Sequence, residues 1–126
     1  MDDPEALRTF GLELADAADA ISLPAFLSGP EVSLKADGTP VTAADTAIEE
    51  LIRDRIGRRF PDHGVLGEEY GIEPGRDGTR WIVDPIDGTA NFGRRIHVWA
   101  TLIGVERDGE LQAGIVSAPA LGQRWS

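Results

Sequence analysis

Cysteine is missing altogether from this 126-residue sequence, which excludes a disulfide framework, a thiolate nucleophile and a zinc–thiolate site. Basic charge is short as well: 12 Lys and Arg face 22 Asp and Glu, a net charge of −10. That balance leaves no basic footprint for a nucleic-acid backbone or an anionic membrane. No run approaches the ~18 apolar residues of a membrane span, and Met1-Asp2-Asp3-Pro4-Glu5 lacks the basic and apolar regions of a signal peptide. The expectation from these absences is a soluble, cytoplasmic protein that binds neither nucleic acid nor membrane.

What is present is enough to fold. At 126 residues and 41% hydrophobic, the chain has the size of one ordinary domain, or part of one, and is not of disordered composition. A chain this acidic repels a free anion. To bind one it needs positive charge from elsewhere, and divalent cations held by its own carboxylates supply it.

Asp3-Pro4 marks a helix start, and Leu7, Phe10, Leu14, Ala17, Ala18 and Ile21 recur at helical spacing until Pro24 or Gly29-Pro30. Val32 to Ala36 and Pro40-Val41 flank the turn dipeptide Asp37-Gly38, predicting a short hairpin or an irregular loop. Thr42 to Asp45 has capping-box spacing, with Ile48, Leu51, Ile52 and Ile56 following on one face before Pro61. Trp81 to Asp84 reads as a buried strand. Val98 to Glu106 and Leu111 to Ala118, around Arg107-Asp108-Gly109-Glu110, read as strand, turn, strand. Helices followed by strands predict an α+β fold, two helices packed on a largely antiparallel sheet.

The tripeptide Asp-Gly-Thr occurs at residues 37, 77 and 87, so a turn accounts for each copy taken alone. The third copy differs in its left flank. Trp81-Ile82-Val83-Asp84-Pro85-Ile86-Asp87 sets one carboxylate at the end of an apolar strand and another three residues later. Pro85 fixes its own φ and pushes Asp84 into an extended conformation, which stiffens the loop. Stiffly held carboxylates suit hard cations such as Mg²⁺, whose remaining positions go to water and substrate phosphate. A surface turn is the plain alternative. Glu68-Glu69 forms a second acidic pair that alone would read as a solvated bend. Asp45 fits the N3 acid of the capping box, Thr89 either caps a short helix or pairs with a carboxylate to orient water, and Lys35 reads as a solvated lysine.

Taken together, Val41-Thr42-Ala43-Ala44-Asp45, Gly67-Glu68-Glu69 and Trp81 to Thr89 resemble, in order, the three motifs of the inositol-monophosphatase family. One extra apolar residue precedes Asp84, and Asn91-Phe92 follows the signature as in the family. The resemblance implies that Glu68 and Asp84 bind a first Mg²⁺ with the Ile86 carbonyl, while Asp84 and Asp87 share a second. It further implies that Asp45 and Thr89, with Glu68, form the catalytic set that orients and deprotonates the attacking water. Gly88, Thr89 and Asp87 would cradle the phosphate. The implied reaction is hydrolysis of a small phosphate monoester by in-line attack of metal-activated water, with no phosphoenzyme.

Within the family, Val98 to Ile103 and Val116 to Leu121 look like the bacterial histidinol-phosphatase branch of histidine biosynthesis, with inositol 1-phosphate and phosphoadenosine phosphate as alternative substrates. The implied fold is the N-terminal half of a layered α/β/α/β/α sandwich, usually homodimeric. Two departures are visible. Ala90 stands where many members have a second Thr, and the chain matches only the N-terminal half of the family, so residues 1–126 are expected to form one phosphatase domain without its C-terminal half. Alone they are expected to hold magnesium weakly and turn over poorly.

Two other readings compete. Haloacid-dehalogenase phosphatases need two aspartates two apart near the start of the fold, whereas Asp84 and Asp87 are three apart and deep in the chain. A non-catalytic divalent-cation-binding or assembly module is the rival of a different class.

Overall fold

The computed structural model describes residues 2–126. Helix α1 spans Pro4–Ser28, with Asp3 as N-cap accepting a 2.8 Å hydrogen bond from the Ala6 amide. The helix runs on through Pro24 and stops at Gly29, so the first of the two expected breaks is overridden. Its last turn is held by burial of Phe26, which packs against Phe92, His97 and Trp99. Strands β1 (Ser33–Leu34) and β2 (Pro40–Val41) then form the short hairpin. Helix α2 spans Ala43–Arg59 behind a complete Thr42/Asp45 capping box.

Strands β3 (Gly64–Gly67), β4 (Gly71–Glu73), β5 (Thr79–Asp87), β6 (Ala100–Arg107), β7 (Glu110–Ala118) and β8 (Gln123–Trp125) form one sheet in the order β4-β3-β5-β6-β7-β8. The short helix α3 (Thr89–Gly93) separates β5 from β6, and a 3₁₀ turn, Pro119–Leu121, precedes β8. The β6–β7 turn takes positive φ at both Asp108 and Gly109, the mirror-type hairpin turn that matches strand twist. The expected α+β fold with a largely antiparallel sheet is observed, although β6 begins at Ala100 and β4 and β8 had no sequence signature.

Alternation along the strands decides which face meets the helices. Trp81 and Val83 of β5, Ile103 and Val105 of β6 and Ile115 of β7 pack with Leu7 and Leu14 of α1 and with Ile48, Ile52 and Ile56 of α2. Each such side chain, fully buried, contributes roughly 1.5–3 kcal/mol. The opposite face carries Leu66, Ile82, Leu102, Gly104, Gly114 and Val116 around an open depression of about 630 Å³, which Glu68 and Asp84 also line. Among the described residues no helix is long and apolar enough to cross a membrane.

Candidate active site

Within the sheet only β3 and β5 run parallel. A parallel pair brings two carboxyl ends to the same edge, where α/β proteins commonly place ligands. Gly67 lies opposite Val83, and the Glu68 amide donates to the Val83 carbonyl at 3.2 Å, so Glu68 and Asp84 leave the pair as neighbours. Strand β5 continues past Pro85, but its register with β6 shifts between Asp84 and Asp87. Proline is tolerated at such a bulge, and the bulge re-aims the residues after it. The buried Thr101 hydroxyl donates to the Pro85 carbonyl at 2.8 Å and pins the irregular segment.

Asp45, only 1% exposed, reaches the same region from the first turn of α2. Its Oδ2 accepts from the Thr42 amide at 2.9 Å and the Thr42 hydroxyl at 2.6 Å. The Thr89 hydroxyl lies 3.1 Å from Asp45 Oδ1 and 3.0 Å from the Ile86 carbonyl, and its single proton serves one acceptor at a time. Thr89 thus has the Asp45 carboxylate within hydrogen-bond reach; it does not cap α3, whose N-cap is Gly88.

The three Asp-Gly-Thr copies share one backbone habit, with φ of 84°, 84° and 88° at Gly38, Gly78 and Gly88. Their side chains part company. Asp37 accepts from the Thr39 amide and hydroxyl, and Asp77 accepts from the Thr79 amide, each closing a local turn. Thr89 instead turns away toward Asp45, and among the described residues no hydrogen bond engages the Asp87 carboxylate. A Cβ on Gly88 would also meet the Val98 carbonyl oxygen at 3.1 Å, so at this copy the glycine answers to its surroundings as well as to φ. The same three letters make two turns and one open carboxylate.

A cleft of about 510 Å³ unites these groups: Lys35, Asp37, Thr39 and Pro40 from the β1–β2 hairpin, Glu68 and Glu69 after β3, and Asp84 and Ile86 to Ala90. Beyond the motifs themselves, the inositol monophosphatase family model matches residues 3–126. The chain belongs to that family.

A histidinol-phosphatase from Mycobacterium tuberculosis is 50% identical over 115 residues, covering 90% of this chain and 44% of that protein. An inositol-1-monophosphatase from Mesorhizobium japonicum is 40% identical over 97 residues, covering 76% of this chain and 36% of the relative. Among solved structures, the extragenic suppressor protein suhB from Bartonella henselae superposes with a TM-score of 0.86 at 30% identity, covering 94% of this chain and 47% of that one. The chain thus spans less than half the length of the curated relatives it matches.

In this member of the family, Asp84 is pushed up to about 7, first by burial and then by repulsion from Glu68, Asp87, Asp45 and Glu69. Glu69 is also raised, chiefly by burial, against the pull of Lys35 Nζ at 3.4 Å. Asp37, Glu68, Glu69, Asp84 and Asp87 line the cleft as hard oxygen donors against Lys35; that is too little positive charge, which fits a hard divalent cation. As they stand, no three acidic or imidazole side chains among the described residues converge closely enough to hold one.

Three contributors escaped the sequence reading. Lys35 is not a freely solvated lysine: its side chain is 27% exposed and pairs with Glu69. Thr101 looked like any strand threonine, and Glu49 like any helix glutamate. Only tertiary placement distinguishes them, though the one-turn spacing of Asp45 and Glu49 does put both on one helix face.

Proposed function

We propose that this chain carries one half of the site of a magnesium-dependent phosphomonoesterase, with L-histidinol phosphate as substrate. The observation that carries the reading is that Glu68, Asp84 and Asp87 line one cleft beside the parallel β3–β5 pair, with Asp84 raised first by burial and then by its acidic neighbours. Glu68, Asp84, Asp87 and the Ile86 carbonyl would hold Mg²⁺, which when bound supplies a Lewis acid that acidifies water and offsets phosphate charge.

The protein's own groups handle the proton. Thr89 Oγ1 would take a proton from the attacking water as its own hydroxyl proton moves to Asp45 Oδ1, so that Thr89 stays neutral, Asp45 holds the proton and the Ile86 carbonyl is free for another partner. Asp45 is held in place for that role by two donors from Thr42. The backbone at Gly88 and Thr89 opens α3, where amides lack helical partners and can meet a phosphate oxygen, with Asp87 beside them. The histidinol-phosphate assignment is supported by 50% identity to a histidinol-phosphatase against 40% to an inositol-1-monophosphatase. The same reading extends to a cytoplasmic homodimer.

Phosphate release tests this. L-histidinol phosphate, inositol 1-phosphate and 3′-phosphoadenosine 5′-phosphate are each supplied with and without Mg²⁺, and the intact mass of the protein is recorded in the same run. Magnesium-dependent preference for histidinol phosphate, abolished in Asp84→Asn, is the expected result. Preference for either rival substrate reassigns the specificity. Cation uptake with no phosphate release, even when the C-terminal half of a relative is added, favours the non-catalytic cation-binding module.

A further inference from the structure

Glu49 is a carboxylate with 0% exposure in the middle of α2, and the chemistry proposed above gives it no task. Burying such a group is costly unless every lone pair is engaged. Here its partners are unusual. Glu49 Oε1 accepts from the Glu69 amide at 2.8 Å, and Oε2 accepts from the Tyr70 amide at 2.9 Å and from Arg53 Nε at 3.0 Å. Arg53 in turn donates through Nη2 to the Gly71 carbonyl. One helix face therefore grips the whole turn that follows Glu68.

The neighbouring glycine belongs to the same device. A Cβ on Gly67 would lie 2.3 Å from Glu49 Oε2, so the carboxylate occupies the volume a side chain would need. Glu68 is thus bracketed: its own amide is tied to the Val83 carbonyl beside Asp84, and the next two amides are tied to Glu49. Asp45, which faces Thr89, sits one turn earlier on the same helix, about 6 Å along its axis. A single rigid element gauges the separation between the Glu68 turn and the Ile86–Thr89 turn.

We propose that Glu49 is a positioning residue of the candidate active site, setting Glu68 against Asp84 so that the pair can share a divalent cation, while itself touching neither cation nor substrate. This rests on the cation-site reading above. The alternative is that Glu49 merely stabilises the fold, and the two separate experimentally.

The test compares the wild-type 126-residue chain with Glu49→Gln, which keeps the shape but sets an amide NH₂ against donors, and with Ile56→Ala, a buried substitution toward the far end of α2. Two quantities are read: Mn²⁺ dissociation constant by electron paramagnetic resonance, and hydrogen exchange at the Glu69 and Tyr70 amides without cation. Expected are a loss of Mn²⁺ affinity of roughly 10- to 100-fold in Glu49→Gln, the range for groups that orient metal ligands, and faster exchange at both amides. Ile56→Ala, though less stable to heat, should keep wild-type affinity. Gly67→Ala should mimic Glu49→Gln. Equal loss of affinity in Glu49→Gln and Ile56→Ala overturns the positioning role, as does wild-type affinity in Glu49→Gln. A wild-type chain that takes up no Mn²⁺ brings down the cation-site reading and this inference together.

Discussion

The two ends of strand β5 treat a buried polar group in opposite ways. Near its start, the fully buried Trp81 donates its indole N–H to His63 Nδ1 at 3.0 Å, inside a cluster with Phe10 and Phe60. Burial holds His63 below its ordinary value of 6.5, partly opposed by Asp77 and Asp2, and the neutral ring is the form that can accept from Trp81. Three residues after Trp81, the half-buried Asp84 is surrounded by its own charge type. One end satisfies its polar atoms and supplies stability. The other leaves its charge uncompensated, as sites of chemistry commonly do.

Removing the satisfied end should cost most. Trp81→Ala is expected to lower unfolding free energy in urea by about 3–5 kcal/mol, combining the cavity with a His63 acceptor left without its donor. A loss below about 1 kcal/mol would dissolve the contrast.

Relieving the uncompensated end should act with the opposite sign. Asp84 has a folded-state value raised from 3.8 to about 7, so its contribution is fully present at low pH and is lost as pH rises through about 7. In EDTA at alkaline pH, Asp84→Asn should therefore stabilise the chain by about 1–2 kcal/mol, allowing for solvent screening at this half-buried position. The same variant should lose any Mg²⁺-dependent rise in melting temperature. Destabilisation by Asp84→Asn in EDTA would show that the acids do not oppose one another.

His63 supplies the smallest and sharpest test. Its folded-state value is depressed, so its contribution is present above its ordinary 6.5 and lost as pH falls through the lower folded value. Acidification below 6.5 should destabilise the wild type through this group, a loss that His63→Asn should remove. His63, bonded to Trp81 of β5, and Asp84 of the same strand then give pH slopes of opposite sign, each erased by its own substitution.

Where signals were local, the sequence was readable. The Thr42/Asp45 box, the Asp108-Gly109 turn and the helical spacing of Ile48, Ile52 and Ile56 all rest on contacts a few residues apart, and each appears as expected. Strands β4 and β8 were not legible because their residues are exposed throughout and join the sheet by backbone pairing, which leaves no hydrophobic pattern. Pro85 argued for a strand ending at Asp84, whereas a bulge carries the strand through to Asp87. For the site, motif order named the acids, but the roles of Lys35, Glu49 and Thr101 depend on partners 16 to 34 residues away. No spacing rule reaches that far.

The lone parallel pairing also orders events in time. The β6–β7 hairpin closes across a two-residue turn, but setting β3 beside β5 requires the chain to loop past β4, and bringing Thr89 to Asp45 spans 44 residues. Local closures precede long ones because less chain entropy is surrendered before contacts reward it. The acids accordingly meet only after the hairpin and the helices have begun to form. Repulsion among acids that meet this late is expected to hasten unfolding and leave the folding rate nearly untouched, which the folding and unfolding rates of Asp84→Asn would check.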